Sequence, residues 1–254
     1  MKILETKQVS KHFGGIKAIE KLDICINKGE IAGLIGPNGA GKTTFFNCIS
    51  GVYPLTHGKI LYKEKLISNL RADEIATLGL ARTFQGIRLF TSLTVLENVM
   101  VGRYSRTKCG LWGALIKPKW AREEENSVKE KAGTYLEFVG LKDYRNELAK
   151  NLPYGCQRKL EIARAIASEP ELLLLDEPAA GMNPSEVKEL VCLIKKIRDM
   201  GVTVLIIEHH MRMIMEICEK IIALNYGVKI SEGTPLEVSN DQKVIEAYLG
   251  RENA

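Results

Sequence analysis

Two hydrophobic periods divide the chain. Leu22, Ile24 and Ile26 alternate with Asp23, Cys25 and Asn27, which puts the apolar set on one face of a half-buried strand. The run from Ile3 to Val9 and the segment Lys59-Ile60-Leu61-Tyr62 read the same way, so an antiparallel β region is expected near the front. Ile31–Ile35 is different. It is an apolar run that ends in glycine and leads into a helix from Lys42.

The centre turns helical. Thr94-Val95-Leu96-Glu97 is a capping box opening a helix through Val101. Residues 122–139 carry helix formers and stop at Gly140, and 156–168 form another helical stretch ending before Pro170. From there the periods alternate: strand 172–175, helix 184–200, strand 202–207, helix 211–218, then a strand pair over 220–231 turning near Asn225-Tyr226-Gly227. The 184–200 helix is the best marked. Asn183 can cap it, Pro184 suits its first position, Val187, Leu190, Val191, Ile194 and Ile197 form one stripe, and Gly201 closes it. Short apolar strands alternating with helices predict a parallel sheet covered on both faces. The central helices interrupt it as an inserted subdomain at about 87–160.

Length and composition narrow the class without deciding it. The 254 residues suit one large α/β domain with subdomains, or at most two small ones. A net charge of +5 fits anionic ligands or a membrane surface and argues little for nucleic acid. Six cysteines, at 25, 48, 109, 156, 192 and 218, form no C-x-x-C pair and no zinc spacing. Several lie in apolar runs, so reduced, buried thiols and a reducing compartment are expected. No signal-peptide core opens the chain and no apolar stretch approaches bilayer length, so a soluble or peripheral protein is expected.

Chemistry enters at Gly36-Pro37-Asn38-Gly39-Ala40-Gly41-Lys42-Thr43, a G-x-x-x-x-G-K-[ST] match set between a strand and a helix. Glycines let main-chain N–H groups turn inward around a phosphate, and the helix N-terminus adds donors and dipole. Lys42 is the candidate for the β/γ-phosphates, Thr43 for Mg²⁺, and Thr44 continues the cradle. A nucleotide and Mg²⁺ are therefore the expected ligands.

A domain of this kind needs a second strand to carry a carboxylate to the metal. Leu172–Leu175 followed by Asp176-Glu177-Pro178 supplies it. Asp176 is the candidate metal ligand, and Glu177 the candidate general base for an attacking water. The expected fold class is α/β: a P-loop NTPase (RecA-like) mixed sheet with an antiparallel β subdomain and an inserted helical subdomain, residues 1–254 forming a single domain.

With these motifs in order, the chain resembles the ABC transporter ATPase family over essentially its whole length. Phe13, in Ser10-Lys11-His12-Phe13-Gly14-Gly15, matches the aromatic that stacks on adenine. Gln85, in Arg82-Thr83-Phe84-Gln85, matches the glutamine that touches metal and water and hinges the helical subdomain. Leu152-Pro153-Tyr154-Gly155-Cys156-Gln157, leading into Glu161-Ile162-Ala163-Arg164-Ala165, falls where the family has its signature. His209 matches the switch histidine at the γ-phosphate. Singly, Phe13, Gln85 and His209 are residues that more often serve packing or a strand end. Order and spacing make them a pattern.

The signature departs from the family's L-S-G-G-Q. Pro153 stands for the serine, Tyr154 for the first glycine and Cys156 for the glutamine, while Gly155 remains. The resemblance implies that this segment reaches across a dimer to the partner's ATP, with Gly155 as a nucleotide contact. Pro153 offers neither hydroxyl nor N–H. A heterodimer with two unequal sites is expected.

The L-x-Y-G-x-Q-[RK]-x-L-E-I-A-R-A pattern, Asp176–Gly181, Asn183-Pro184, the insertion at 103–120 and the tail Val244–Gly250 are similar to one subfamily, the larger ATPase subunit of branched-chain (leucine/isoleucine/valine) amino acid importers. Urea and short-chain amide importers share the pattern. The resemblance implies an ATPase coupled to transport at the cytoplasmic face of the cell membrane. Its partners would be a second ATPase subunit, two transmembrane permease subunits and, indirectly, a periplasmic or extracellular solute-binding protein. Non-transport relatives acting on DNA or ribosomes carry coiled coils or two cassettes. This chain has one cassette and no heptad run, so no nucleic acid partner is expected. The helical insertion and His209 argue against a generic P-loop kinase or GTPase.

From Gly102 to Arg122 the bases Arg103, Arg106, Lys108, Lys117, Lys119 and Arg122 occur with no acid, beside Trp112 and Trp120. This is either a solvated basic loop over a small apolar cluster or a contact with membrane subunits or lipid headgroups.

Overall fold

In the computed structural model, which describes residues 1–107 and 118–249, strand β1 (Lys2–Phe13) is the seam of an antiparallel sheet. Along one edge it pairs first with β3 (Cys25–Asn27) and then with β2 (Ile16–Leu22). Along the other lies β5 (His57–Tyr62), flanked by β6 (Lys65–Leu66). The single strand expected through Leu22, Ile24 and Ile26 is thus split. Gln8 and Lys21 sit at φ 51° and 49°, the register of β1 shifts, and Asp23 turns its carboxylate onto Gln8. Buried Thr6 spans the break: its Oγ1 donates to Leu22 O at 2.9 Å and accepts from Ile24 N at 2.8 Å. The alternation survives the corner, with Leu22, Ile24 and Ile26 all buried.

The second sheet has the order β11-β10-β4-β9-β8-β7. Its strands are β4 (Ile31–Ile35), β7 (Leu80–Arg82), β8 (Leu172–Asp176), β9 (Thr203–Ile207), β10 (Lys220–Asn225) and β11 (Val228–Gly233). Neighbours run parallel except for the β10–β11 hairpin. Strands β4, β8 and β9 are buried at every position, as a sheet covered on both faces requires. Their residues still alternate between two cores. Ala32, Leu34, Leu172 and Leu174 face α1 (Lys42–Ile49) and the antiparallel sheet, meeting Phe45, Phe46 and Ile60. Ile31, Leu173, Val204 and Ile206 face α6 (Pro184–Asp199) and α7 (Met211–Ile217), meeting Leu190, Ile194 and Ile214.

Between β7 and β8 the chain forms α3 (Val95–Gly102), α4 (Lys119–Phe138) and α5 (Tyr154–Ile166), which pack on one another through Val99, Leu136 and Leu160. A short α2 (Ala72–Thr77) precedes β7, and α8 (Pro235–Ser239) and α9 (Gln242–Leu249) follow β11. Thr94, Asn183 and Thr234 head reciprocal capping boxes with Glu97, Glu186 and Glu237.

The basic segment divides. Arg103 is buried, donating to Ala167 O at 3.0 Å and to Glu169 at 2.9 Å. Arg106 donates to Ser168 O and Glu169 O. Both close the carbonyls that follow α5; Arg103 is buried in doing so, while Arg106 stays exposed. Trp120 is exposed on α4. Lys108, Cys109, Leu111, Trp112, Leu115, Ile116, Lys117 and Gly250 lie outside the described residues. Among the described residues no helix is long and apolar enough to cross a membrane.

Candidate functional site

The end of β4 delivers the chain into the loop before α1. Gly36, Gly39 and Gly41 there take φ of 148°, 81° and 98°, a region that favours glycine. Space makes the same demand: a Cβ on Gly36 would lie 2.2 Å from Leu224 O, and one on Gly41 2.4 Å from Ala18 O. The loop is therefore seated on backbone from β10 and β2. Lys42, 5% exposed, curls beneath it and donates to Gly36 O at 2.7 Å and Pro37 O at 3.0 Å. A cleft of ≈ 410 Å³ opens above, lined by Asn38 through Thr44, Ile16, Lys17, Ala18, Gln85, Glu177 and Tyr226.

Asp176 ends β8 in the floor of this region, 1% exposed. Its Oδ2 accepts from Arg82 Nη2 at 2.9 Å, while Oδ1 is buried with no partner among the described residues. Burial raises the Asp176 carboxyl above its ordinary range, and the Arg82 guanidinium pulls against that shift. A buried, unpaired carboxylate oxygen is costly. Mg²⁺ binds through one or two carboxylates, water and phosphate oxygens, so this oxygen and the Thr43 hydroxyl are a donor set that fits it.

Beside Asp176, three strand ends converge. Glu177 follows β8, Gln85 follows β7 and His209 follows β9, and these strands are neighbours in the sheet. Glu177 Oε2 accepts from Gln85 Nε2 at 2.9 Å, and Oε1 lies 2.9 Å from His209 Nε2. Glu177 itself holds φ 49°, a strained value for a residue with a side chain, and its N–H is fixed to Ile207 O at 2.9 Å.

Other expected residues stand apart. Phe13 is exposed at the end of β1 and is not among the side chains lining the cleft. Its ring meets Tyr53 edge-on at 5.3 Å, with the Lys11 ammonium 4.8 Å from its centroid. Gly155 is buried at the start of α5, where a Cβ would come 2.4 Å from Glu186 Oε1, and it too lies outside the cleft.

Three contributors escaped the sequence reading. Arg82 grips Asp176 and also donates to Asn47 and Ser50 of the α1 turn at 2.7 and 2.9 Å. Buried Glu208 accepts from Ala179 N at 2.7 Å, His209 N at 2.9 Å and His210 N at 3.2 Å, tying the loop after Glu177 to the histidine turn. A charge directly after four apolar residues, Val204–Ile207, was its available signal. Tyr248 of α9 accepts from Gly36 N at 2.9 Å, and no local pattern announces it.

This arrangement has relatives. The ABC transporter family model matches residues 19–180, and a model described as a branched-chain amino acid ATP-binding cassette transporter matches 228–254. The high-affinity branched-chain amino acid transport ATP-binding protein LivG of Salmonella typhimurium is 44% identical over 98% of each chain. BraF of Pseudomonas aeruginosa, of the same description, is 41% identical over 98% of each. The ADP conformation of MJ1267, an ATP-binding cassette of an ABC transporter, superposes with a TM-score of 0.86 at 33% identity, covering 98% of this chain and 99% of that one.

Proposed function

Because the chain belongs to the ABC transporter family, we propose that it is the ATP-hydrolysing motor subunit of a branched-chain amino acid importer, working at the cytoplasmic face of the membrane. The observation that carries this is Glu177, held between Gln85 and His209 beside the unpaired oxygen of Asp176. A carboxylate at that point can accept the proton of a water attacking a γ-phosphate seated on the glycine loop.

The remaining roles follow from position. Main-chain N–H groups between Asn38 and Thr44, among them those of Gly39 and Gly41, supply the cradle that the Gly36-Pro37 and Ala40 backbone shapes, and Lys42 exchanges its carbonyl partners for phosphate oxygens. Thr43, Asp176 and Gln85 would hold Mg²⁺, which when bound draws charge from the phosphates. His209 would leave Glu177 for the γ-phosphate. Phe13 would serve the base from the end of β1, and Gly155 would serve the nucleotide of a second ATPase subunit.

An apolar groove of ≈ 450 Å³, walled by Val52, Ile75, Leu80, Phe84, Val101 and Tyr104, runs beside Gln85 and includes Arg82. An apolar element of a transmembrane permease subunit seated there would push on the two residues next to the catalytic carboxylates. Two such subunits, and a solute-binding protein acting through them, complete the assembly. The match over 228–254 favours branched-chain amino acids over urea or short amides as cargo. Since Pro153-Tyr154-Gly155 offers the partner's nucleotide few donors, the two ATPase subunits would be different chains with unequal sites.

Proteoliposomes holding the complete complex, with ATP inside and loaded binding protein outside, test this. Leucine uptake should require ATP and vanish with Glu177→Gln. Uptake of urea in place of leucine would reassign the cargo, and uptake unaffected by Glu177→Gln would end the motor reading. Mutating the equivalent glutamate of the partner should give an unequal loss of ATPase, and equal losses would remove the asymmetry.

A further inference from the structure

The cleft has two ends. Asn38 through Thr44, with Gln85 and Glu177, form one, the end that suits phosphate, and Ile16, Lys17, Ala18 and Tyr226 wall the other. Tyr226 is the conspicuous member of that second group. It sits in the turn of the β10–β11 hairpin, between the paired residues Asn225 and Val228, with φ 45° followed by Gly227 at φ 80°. Two successive left-handed residues closing a two-residue loop make a turn that prefers asparagine, aspartate or glycine at its first central position. A tyrosine there is strained. It is also 75% exposed, so burial does not compensate.

The turn is fastened, which fixes where the ring can be. Gly227 N donates to Ala40 O at 3.1 Å, and Gly227 O accepts from Glu20 N at 2.9 Å. A Cβ on Gly227 would lie 2.7 Å from Ala18 O. The hairpin is thus bound to both the phosphate loop and β2, and Tyr226 stays at the cleft wall beside them. Ile16, 71% exposed, adds a second apolar group to the same wall. Phe13 is instead engaged with Tyr53 outside the lining.

We propose that Tyr226 is a nucleoside-binding residue: its ring gives the adenosine part of the bound nucleotide a flat apolar face, and this contact is what a strained, exposed tyrosine in that turn is for. Aromatic faces hold bases by stacking with little discrimination among them. The proposal deepens the ATP-site reading and rests on it.

The test uses the full chain and three ligands: Mg-ADP, Mg-ATP and magnesium tripolyphosphate, which has phosphates and no nucleoside. Tyr226→Asn should weaken ADP and ATP binding about tenfold, leave tripolyphosphate binding unchanged, and hold or raise the melting temperature, because asparagine suits the left-handed turn. Tyr226→Phe should bind like the parent. Nucleotide affinity within twofold of the parent in Tyr226→Asn would overturn the proposal. So would an equal loss for tripolyphosphate, or a loss in Tyr226→Phe as large as in Tyr226→Asn. Lys42→Ala is the control. If it keeps full affinity for all three ligands, the ATP-site reading has failed, and not the role of Tyr226.

Discussion

The chain has two helix starts that a triphosphate could meet, and they are built in opposite ways. At α1 the preceding loop is glycine-rich, its N–H groups line an open cleft, and a lysine waits beneath on carbonyl oxygens. At α5 the cap is Pro153, with no N–H and no side-chain hydrogen bond. Tyr154 lays its ring within 3.1–3.4 Å of where a Cβ on Gly181 would be, and its hydroxyl accepts from Arg158 at 3.2 Å. Gly155 faces Glu186, a carboxylate that also accepts from Asn183 N at 2.9 Å. Polar groups near α5 are thus engaged within the chain, and a negative charge stands beside the remaining glycine. A helix dipole favours an anion, but what surrounds the first turn decides whether the anion can approach. The two starts do share an anchoring device. Arg82–Asp176 and Arg158–Glu161 are both buried ion pairs, and Arg158 also donates to the backbone carbonyls of Phe84 and Gln85.

The comparison breaks most easily at Glu177. Glu177→Gln in the assembled complex should cut ATP hydrolysis on this chain's side about 10²–10⁴-fold while nucleotide binding persists. Retained turnover would mean that the complete-looking site is not the working one. Next in size is Arg82→Ala, which strands Asp176 in the interior. Chemical denaturation should show a loss of about 3–5 kcal/mol, and a cost under about 1 kcal/mol would deny the pair its anchoring role.

Pro153→Ser sharpens the contrast from the other side. With Glu177→Gln silencing this chain's own site, the added hydroxyl and N–H should raise hydrolysis at the partner's site several-fold, as about 1 kcal/mol of net hydrogen bonding would give. No change would show that Glu186 and Tyr154 alone keep the phosphate away.

Two cysteines report the smallest effect. Burial pushes the Cys48 thiol, behind the phosphate loop, up to about 11, while half-buried Cys156 of the signature is raised by burial too. At pH 8 only about one Cys48 in a thousand is thiolate, so iodoacetamide should label Cys156 before Cys48. Mass spectrometry should find Cys48 labelled only as the pH climbs towards 11. The sign is that of a raised folded-state value: the stability contributed by protonated Cys48 is complete below the ordinary thiol range and is lost as pH rises through 11. Faster labelling of Cys48 would mean that α1 opens.

Local features were legible. The glycine loop, the buried strand before Asp176, and the Asn183 cap with its apolar stripe are each written within a dozen residues, where periodicity and capping chemistry act. Partnerships across the fold were not. Arg82 reaches Asp176 over 94 positions and Gly36 reaches Tyr248 over 212, and nothing near either residue reveals its partner. The split after Leu22 was hidden because the apolar alternation continues unbroken through the corner while the hydrogen bonding changes strand. β7 was missed because three residues, Leu80–Arg82, are too few to show a period.

The seating of the phosphate loop has a consequence for synthesis. A nascent chain that has emerged through α1 already carries the whole glycine motif, yet the hydroxyl that takes the Gly36 amide and the amide that takes the Ala40 carbonyl belong to α9 and the β10–β11 turn. Until those are made and docked, the loop has only the β2 side of its seat. Ribosome-bound intermediates should therefore be blind to ATP, and the first nucleotide bound certifies that the far end of the fold has arrived.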